Sequence, residues 1–172
     1  MSLMWDELDT AIGRVVVVTN ATHVVAVDFA DCDARLKKIL ARGYGDSERQ
    51  RVANPLGATG RLQAYFAGEL DALDDIPVDP HGSEFQCSVW RELRRIPVGE
   101  TISYGELATR RGRPTASRAV GMANSKNPVG IVIPCHRVIG ANGKLTGYAG
   151  GVERKQWLLE HERAGAQLGL RL

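Results

Sequence analysis

The acidic segment DALDDIPVDPHG, residues 71–82, divides this chain of 172 residues into two parts. It contains four aspartates and two prolines, and no regular apolar spacing. A proline has no N–H and a fixed φ, so neither a helix nor a central strand continues through such a segment. Because a chain of this length can form one good core or two small ones, the sequence predicts two domains, residues 1–78 and 79–172.

The two parts differ in charge. Residues 1–82 contain 8 Lys/Arg and 13 Asp/Glu, and residues 83–172 contain 14 and 7, so the net charge of +2 combines −5 with +7. A basic second part indicates contact with a polyanion, although a chance segregation of solubilising charges would look the same. No apolar run approaches the roughly 20 residues of a membrane span. No basic-then-apolar leader opens the chain, and we therefore expect a cytoplasmic protein without membrane contact.

The first part is predicted to be a small α/β domain with an antiparallel sheet. Residues 13–29, GRVVVVTNATHVVAVDF, form two β-branched runs around a short polar turn, which is typical of a hairpin. The spacing of apolar residues predicts helices over 33–41 and 58–70. The polar segment 43–54 between them is predicted to be a loop.

The second part is predicted to be mostly helical, with a helix-turn-helix of winged-helix type. Ser83 with Gln86, and Ser103 with Glu106, form capping-box patterns that begin two helices. A glycine and a proline at 112–114 end the second, and Thr115 is predicted to cap a third. Helix, tight turn and helix in a basic region are typical of DNA-binding modules, but many such helical hairpins bind nothing.

The third helix has small side chains along most of its length, SRAVGMANS. Small residues would let its backbone approach a narrow minor groove. They would equally permit close packing against another helix. The sequence leaves these two interpretations open.

The apolar run VGIVI, residues 129–133, is predicted to be a strand that stops at Pro134, directly before Cys135 and His136. A cysteine attacks as the thiolate, and an unperturbed thiol with a pKa of about 8.5 is mostly protonated at neutral pH. Successive side chains of a strand point to opposite faces, so contact between these two needs a turn or a bridging water. Pro134 favours the turn. Taken alone, the pair could also be a packed cysteine beside a satisfied core histidine.

The string IPCHRVIG, with GETISYGELA and SRAVGMANSKNP before it and GYAGG and KQWLLEHE after it, resembles the methylated-DNA–protein-cysteine methyltransferases. The resemblance covers roughly residues 83–163, with the motifs in the family's order and spacing. The first part resembles the family's smaller domain only in length and outline. The resemblance implies a DNA-repair protein that extrudes an alkylated guanine from the duplex. The protein would transfer the alkyl group from the 6-oxygen to its own cysteine, once and without a cofactor. No metal site is predicted, because the CxxC and HxxxH spacings of zinc sites are absent from the sequence.

The resemblance also implies roles for individual residues. Cys135 would be the alkyl acceptor, activated by a relay through His136, a water molecule and Glu162. Asn127 matches the asparagine that orients the backbone around the site. Tyr104 matches a tyrosine that donates to the extruded base and crowds the adjacent phosphate.

The implied DNA contacts centre on Arg118, which matches an arginine that fills the gap left by the extruded base. The implied DNA-binding residues are Arg118, Tyr104, Arg113, Ser117, Ala119 and Gly121. The implied pocket residues are Val138, Tyr148, Ala149, Gly150 and Lys155. Ala149 stands where some relatives carry serine, so only its backbone N–H could bind the base there.

The implied partner is double-stranded DNA, bound through its minor groove by a monomer or by several copies side by side. Three alternatives remain at this point. A cysteine hydrolase would need a separated histidine and an oxyanion hole, and His136 directly after Cys135 is an awkward base for it. The other two are DNA-binding proteins without alkyl transfer. Non-catalytic damage-binding relatives share the fold but place tryptophan at the nucleophile position, which Cys135 disfavours. A winged-helix transcriptional regulator would also fit the basic helix-turn-helix, but it would have no need of a reactive cysteine.

Overall fold

The computed structural model describes residues 2–171, which divide into two compact units. The first unit comprises the described residues up to His81 together with Pro128–Val132, and the second comprises Gly82–Asn127 and the described residues from Ile133. The short segment Pro128–Val132 joins the first unit through backbone bonds: Val27 N–H donates to the Pro128 carbonyl at 3.1 Å, and Gly130 N–H donates to the Val27 carbonyl at 3.0 Å. A boundary at residues 78 and 79 does not capture this insertion.

The prediction of a strand over residues 129–133 is wrong. Within this run Val129 forms an isolated bridge to Val27, and the next residues form a turn. Ile131 adopts a φ of 70°, in the left-handed region that a β-branched residue rarely enters. The run is apolar because all of it is buried except the half-buried Gly130, so its composition reflects burial and not a strand.

The first unit is a four-stranded sheet with helices. Its strands are ordered β3-β2-β1-β4. The elements are β1 Leu3–Thr10, β2 Gly13–Thr19, β3 Val24–Phe29, α1 Asp33–Tyr44, β4 Arg49–Arg51 and α2 Ala58–Phe66. The predicted hairpin of β2 and β3 is confirmed, with Val17 opposite Val27. β1 pairs antiparallel with β2, whereas β4 pairs parallel with β1, so the sheet is mixed at one edge.

The loop predicted over residues 43–54 therefore contains a strand. β4 has the sequence RQR, and all three residues are exposed. Its side chains carry no apolar alternation, because backbone pairing with Leu3, Met4 and Trp5 of β1 forms the strand. Side-chain pattern is the signal for a half-buried strand, and β4 lacks that signal.

The core of the first unit lies where α1 covers one face of the sheet. Leu36 and Leu40 of α1 are buried against strand residues, with Trp5 partly buried beside them. The strand residues in this cluster are Leu3, Val18, Val25 and Ala26. The helical spacing of Leu36 and Leu40 places both on one face, as the sequence predicts.

The second unit is mostly helical. Its elements are α3 Glu84–Leu93, β5 Ile102–Ser103, α4 Tyr104–Arg110, α5 Ser117–Ser125, a 3-10 turn Cys135–Arg137, β6 Val138–Ile139 and α6 Val152–Arg171. β5 and β6 pair in parallel. α5 packs against α3 and α4, and the Trp90 indole N–H of α3 donates to the Ala123 carbonyl of α5 at 2.9 Å. None of the helices in the described residues is long and apolar enough to cross a bilayer.

Two of the three helix starts predicted from capping residues in the second unit are confirmed. Ser83 caps α3 in a reciprocal capping box with Gln86, and the Ser103 hydroxyl accepts from the Glu106 N–H of α4 at 3.0 Å. The prediction that Thr115 caps the third helix is wrong. α5 begins at Ser117, and its N-cap residue Ala116 makes no side-chain bond. A backbone turn replaces the cap there, because Ala116 N–H donates to the Arg113 carbonyl at 2.9 Å.

Candidate active site

Cys135 is the first residue of the 3-10 turn Cys135–Arg137. Pro134, with φ −82° and ψ 64°, directs the chain into it, and Cys135 N–H donates to the Ile133 carbonyl at 2.8 Å. This is an inverse γ-turn, a common way to start a loop. The turn predicted from Pro134 is thus confirmed. The Cys135 side chain lies in a buried environment, with the residue 8% exposed.

His136 is fully buried and is held by one carboxylate. Its Nε2 lies 2.8 Å from Oε2 of Glu162, which projects from α6. Its Nδ1 is also buried and has no hydrogen-bond partner within residues 2–171. In a neutral imidazole one nitrogen donates and the other accepts. With Nε2–H directed at Glu162, the lone pair lies on Nδ1 and is available to take a proton.

Arg137 binds the same carboxylate. Its Nε donates to Glu162 Oε1 at 2.8 Å and its Nη2 donates to Oε2 at 3.0 Å, a bidentate pair. Its Nη1 donates to the Ile96 carbonyl at 2.6 Å. Sequence reasoning assigned Arg137 no role. The available signal was an arginine inside an apolar string, because a buried guanidinium requires a carboxylate partner.

The Glu162 carboxylate is ionised at neutral pH. Burial alone would raise its pKa, but the electrostatic interaction and hydrogen bond with His136, followed by the hydrogen bonds and charge of Arg137, outweigh burial. Together they hold the pKa of Glu162 far below its usual range. The carboxylate can therefore stabilise a positive charge that develops on His136.

Lys155 of α6 is buried and joins two parts of the chain. Its Nζ donates to the Val138 carbonyl of β6 at 2.6 Å and to the Thr146 carbonyl at 3.0 Å. Burial lowers the pKa of Lys155, and interaction with the Cys135 sulfur partly opposes that shift. The ammonium group thus ties the segment 140–151 to the strand that follows the 3-10 turn.

Two asparagines of the α5 end reach the backbone on either side of Pro134. Asn127 Nδ2 donates to the Ile133 carbonyl at 2.8 Å, and Asn124 Nδ2 donates to the Cys135 carbonyl at 3.4 Å. The family motifs predict a role for Asn127 but none for Asn124, which lies among the small residues of α5. No sequence signal distinguishes it, because its partner is a backbone carbonyl eleven positions away.

Tyr104 begins α4, and the predicted pocket residues lie on β6, on the segment after it and on α6. The Tyr104 ring lies against α5 at Gly121, and its hydroxyl accepts from the Thr146 hydroxyl at 3.3 Å. Val138 is buried. The remaining predicted pocket residues lie in the segment that Lys155 ties down, Tyr148 and Gly150 half-buried and Ala149 exposed.

Of the predicted DNA-binding residues, Gly121 and Tyr104 are half-buried and the others are exposed on α5 or just before it. Ser117, Arg118 and Ala119 are exposed at its N-terminal end. Arg113 precedes the helix, and its guanidinium carbon lies 5.7 Å from the centre of the Phe85 ring. Met122, for which the sequence predicts no role, is 63% exposed on the same helix.

Comparison with known proteins gives matches over both units. Residues 3–80 match the family model described as "6-O-methylguanine DNA methyltransferase, ribonuclease-like domain". Residues 84–164 match the model described as "6-O-methylguanine DNA methyltransferase, DNA binding domain". The first part, related to the family only in outline by its sequence motifs, therefore matches as well.

Individual relatives agree with these models. A methylated-DNA–protein-cysteine methyltransferase of Mycolicibacterium paratuberculosis is 60% identical over 138 residues, covering 78% of this chain and 83% of the relative. One from Shigella flexneri is 44% identical over 165 residues, covering 94% and 96%.

Solved structures are also similar. The O6-methylguanine methyltransferase of Mycobacterium tuberculosis is 40% identical with a TM-score of 0.79, and the match covers 99% of both chains. The DNA complex of Mycobacterium tuberculosis OGT gives the same identity and TM-score over 94% of both chains. The chain therefore belongs to the 6-O-methylguanine DNA methyltransferase family.

Proposed function

We propose that Cys135 removes the alkyl group from the 6-oxygen of guanine in double-stranded DNA and keeps it. Membership of the family makes the chain a DNA-repair methyltransferase acting on methylated DNA. The assignment of the chemistry to residues rests on one observation above all. Cys135 is followed directly by a fully buried histidine whose Nε2 lies 2.8 Å from an ionised carboxylate.

The first step is removal of the thiol proton. A water molecule between Cys135 Sγ and His136 Nδ1 would accept the proton from sulfur and pass it to the nitrogen. His136 becomes positively charged in this step, and the anionic Glu162 stabilises that charge through Nε2. Arg137 keeps the carboxylate ionised and in place, because it binds both oxygens.

The second step is displacement at carbon. The thiolate forms an S–C bond while the bond between carbon and the 6-oxygen breaks, and the bonding electrons stay with guanine. The Tyr104 hydroxyl donates to the base as negative charge develops on it, and the backbone N–H of Ala149 faces the leaving oxygen. The products are an S-alkylcysteine and a guanine anion, which takes up one proton from water to become unmodified guanine, while protonated His136 returns its proton to water. A thioether cannot be deprotonated to a nucleophile, so each molecule reacts once.

The remaining site residues hold the reacting groups in position. Asn127 anchors the backbone before Pro134. Lys155 fixes the segment that carries Tyr148, Ala149 and Gly150 by binding the carbonyls of Val138 and Thr146. Such anchoring matters because reaction rate depends steeply on the geometry of the reacting atoms.

The exposed face of α5 is the proposed DNA-binding surface. The target atom is buried in the duplex, so the nucleotide must leave the base stack at a cost of a few kcal/mol. Arg118 would fill the gap. Ser117, Ala119 and Gly121 would let the helix approach the minor groove, with Arg113 at a phosphate.

The protein is proposed to act as a monomer, with several copies able to bind one duplex. A cytoplasmic location suits the chemistry, because a thiol nucleophile persists in a reducing compartment.

Intact-mass measurement tests the proposal. After incubation with duplex DNA carrying 6-O-methylguanine, the protein should gain one CH₂ unit on the peptide containing Cys135, up to one per molecule. Cys135→Ser should abolish the gain and still bind DNA. Cys87→Ser is a matched control, since Cys87 is half-buried on α3, and should react like the parent. Repeated turnover, or the group on another side chain, would refute the assignment.

A further inference from the structure

We propose that Asn124 is a positioning residue for the reaction, which fixes the backbone of the nucleophile from the DNA-binding helix. This inference rests on the proposed function of Cys135. It concerns a side chain to which neither the sequence motifs nor the relay assigns a role.

The geometry of Asn124 carries the inference. The residue is 5% exposed near the end of α5. Its Nδ2 donates to the carbonyl of Cys135 itself, at 3.4 Å. Asn127 binds the carbonyl of Ile133, so the two amides hold the peptide groups before and after Pro134. Two hydrogen bonds therefore hold the backbone around the nucleophile against the end of α5.

The α5 end is itself firmly anchored. The Ala123 carbonyl accepts from the Trp90 indole at 2.9 Å, and from Lys126 N–H at 3.1 Å. The Asn124 carbonyl accepts from Asn127 N–H at 3.3 Å. A side chain attached to so constrained a turn can define the position of a peptide group that it binds.

The second polar atom of Asn124 points to a role beyond packing. Oδ1 is buried and lacks a hydrogen-bond partner among the residues that the structure describes. Buried polar atoms in folded proteins are almost always paired, and an exception calls for an explanation. Nδ2 and Oδ1 belong to one planar amide, so Oδ1 lies beside the same turn as the Cys135 carbonyl. Oδ1 is thus an unused acceptor next to the turn that carries the sulfur.

α5 also connects this buried contact to the DNA. Arg118 is exposed on the same helix, six residues before Asn124. A helix of nine residues moves as one body, so the docking of its exposed end on a duplex sets where its buried end holds Cys135. The chemistry and the docking surface thus share one rigid element.

Two substitutions separate positioning from simple packing. Asn124→Leu keeps the branching of the side chain, at a larger volume, and removes both polar atoms. Asn124→Asp keeps the shape, but as a carboxylate it loses the donor and brings a negative charge to the turn that carries the sulfur. The neighbouring groups His136, Arg137, Lys155 and Glu162 are unchanged in both. Thr19→Val is the matched control. It removes another buried oxygen that has no partner in the described chain, and Thr19 lies in the first unit.

The readout is the rate constant for alkylation of Cys135 by free 6-O-benzylguanine and by methylated duplex, measured across pH. Asn124→Leu should slow both reactions by a similar factor, about fivefold to tenfold, as expected for one lost hydrogen bond. Asn124→Asp should move the midpoint of the pH–rate profile upwards, because a negative charge disfavours the thiolate. Thr19→Val should match the parent in both measurements.

Three results would overturn the inference. The first is that the rates and pH profiles of both Asn124 variants equal those of the parent. The second is that the alkylation rate falls with duplex but not with free 6-O-benzylguanine. The third is that only the melting temperature changes. If Asn124→Leu does not fold, the pH profile of the nearly isosteric Asn124→Asp decides. Failure of the parent to react with 6-O-benzylguanine at Cys135 would instead refute the proposed function, so the two failures are distinguishable.

Discussion

The Glu162 carboxylate receives hydrogen bonds from two consecutive residues, His136 through Nε2 and Arg137 through Nε and Nη2. Consecutive side chains of an extended strand could not do this, since they point to opposite faces. The 3-10 turn brings both to one side. A lone buried carboxylate would favour its neutral form, and the guanidinium prevents that. Arg137 therefore acts on the nucleophile indirectly, by preserving the anion that orients His136.

Glu162→Gln should cost both stability and activity. The substitution leaves the buried guanidinium of Arg137 without a counter-charge, which typically destabilises a protein by about 3–5 kcal/mol. It also removes the charge that stabilises protonated His136, so alkylation of Cys135 should slow at least tenfold. Urea unfolding and labelling with 6-O-benzylguanine measure the two effects.

Glu160→Gln provides the control for this substitution. Glu160 is exposed on the same helix and accepts a hydrogen bond from Gln156 at 3.0 Å. This variant should match the parent in both measurements. A Glu162→Gln protein as stable and as reactive as the parent would remove the carboxylate from the mechanism.

The stability of the protein should fall on acidification through the same residue. The pKa of Glu162 in the folded protein lies far below its ordinary value of 4.5, so folding favours the ionised form. Its contribution is fully present above the unfolded pKa and is lost progressively as the pH falls below about 4.5 towards the folded pKa. Denaturant midpoints at pH 7, 5, 4 and 3 should show the decline in the parent. The decline should be shallower in Glu162→Gln, and parallel curves would contradict the shift.

At the level of single residues, the motifs point to the side chains of the proposed relay and to Asn127 and Lys155 beside it, but not to Arg137 or Asn124. Cys135, His136 and Glu162 lie in strings that the family resemblance covers. Arg137 and Asn124 bind a carboxylate and a carbonyl that are 25 and 11 positions away in sequence. Such contacts depend on how α5 and α6 pack, and no local pattern reports that packing.

At the scale of elements, the sequence predicted what local patterns determine. The two β-branched runs around a polar turn predicted the β2–β3 hairpin, and Ser83 and Ser103 predicted the starts of α3 and α4. β4 and the start of α5 were missed for the opposite reason. Backbone groups alone form them, by pairing with β1 and by the turn from Arg113. Burial likewise made residues 129–133 resemble a strand.

Arg118→Ala tests the role of α5 on DNA. If this side chain fills the gap in the duplex, its loss should slow the repair of methylated duplex at least tenfold. Reaction with free 6-O-benzylguanine requires no extrusion and should stay within about twofold, since the cost of unstacking applies to the duplex alone. Single-turnover rates on both substrates give the comparison.

Arg163→Ala is the control for this experiment. Arg163 is exposed on α6, and its removal takes away the same charge from another helix of the same unit. It should affect neither substrate by more than about twofold. An equal loss on duplex and free base in Arg118→Ala would contradict gap filling and indicate a folding defect.

At the scale of the whole molecule, charge follows the division into units. The uncharged segment 128–132 and Gly82 contribute nothing to either sum, so the first unit carries −5 and the second +7. The relay, the exposed face of α5 and the positive charge all belong to the second unit. We therefore expect a polyanion to be attracted to the second unit, which carries the proposed nucleophile, and to be repelled by the first.

This separation predicts a salt dependence that distinguishes docking from chemistry. Each phosphate neutralised by a cationic side chain contributes about −0.9 to the slope of log affinity against log salt on duplex DNA. Arg113→Ala should therefore reduce the magnitude of that slope by about 0.9, whereas Arg42→Ala, an exposed arginine of the first unit, should leave it unchanged. The rate with free 6-O-benzylguanine should stay nearly constant over the same salt range, because no counterions are released.

A salt slope that is the same in Arg113→Ala and the parent would show that Arg113 does not neutralise a phosphate. An equal slope for duplex and free base would mean that salt acts on the reacting centre and not on docking.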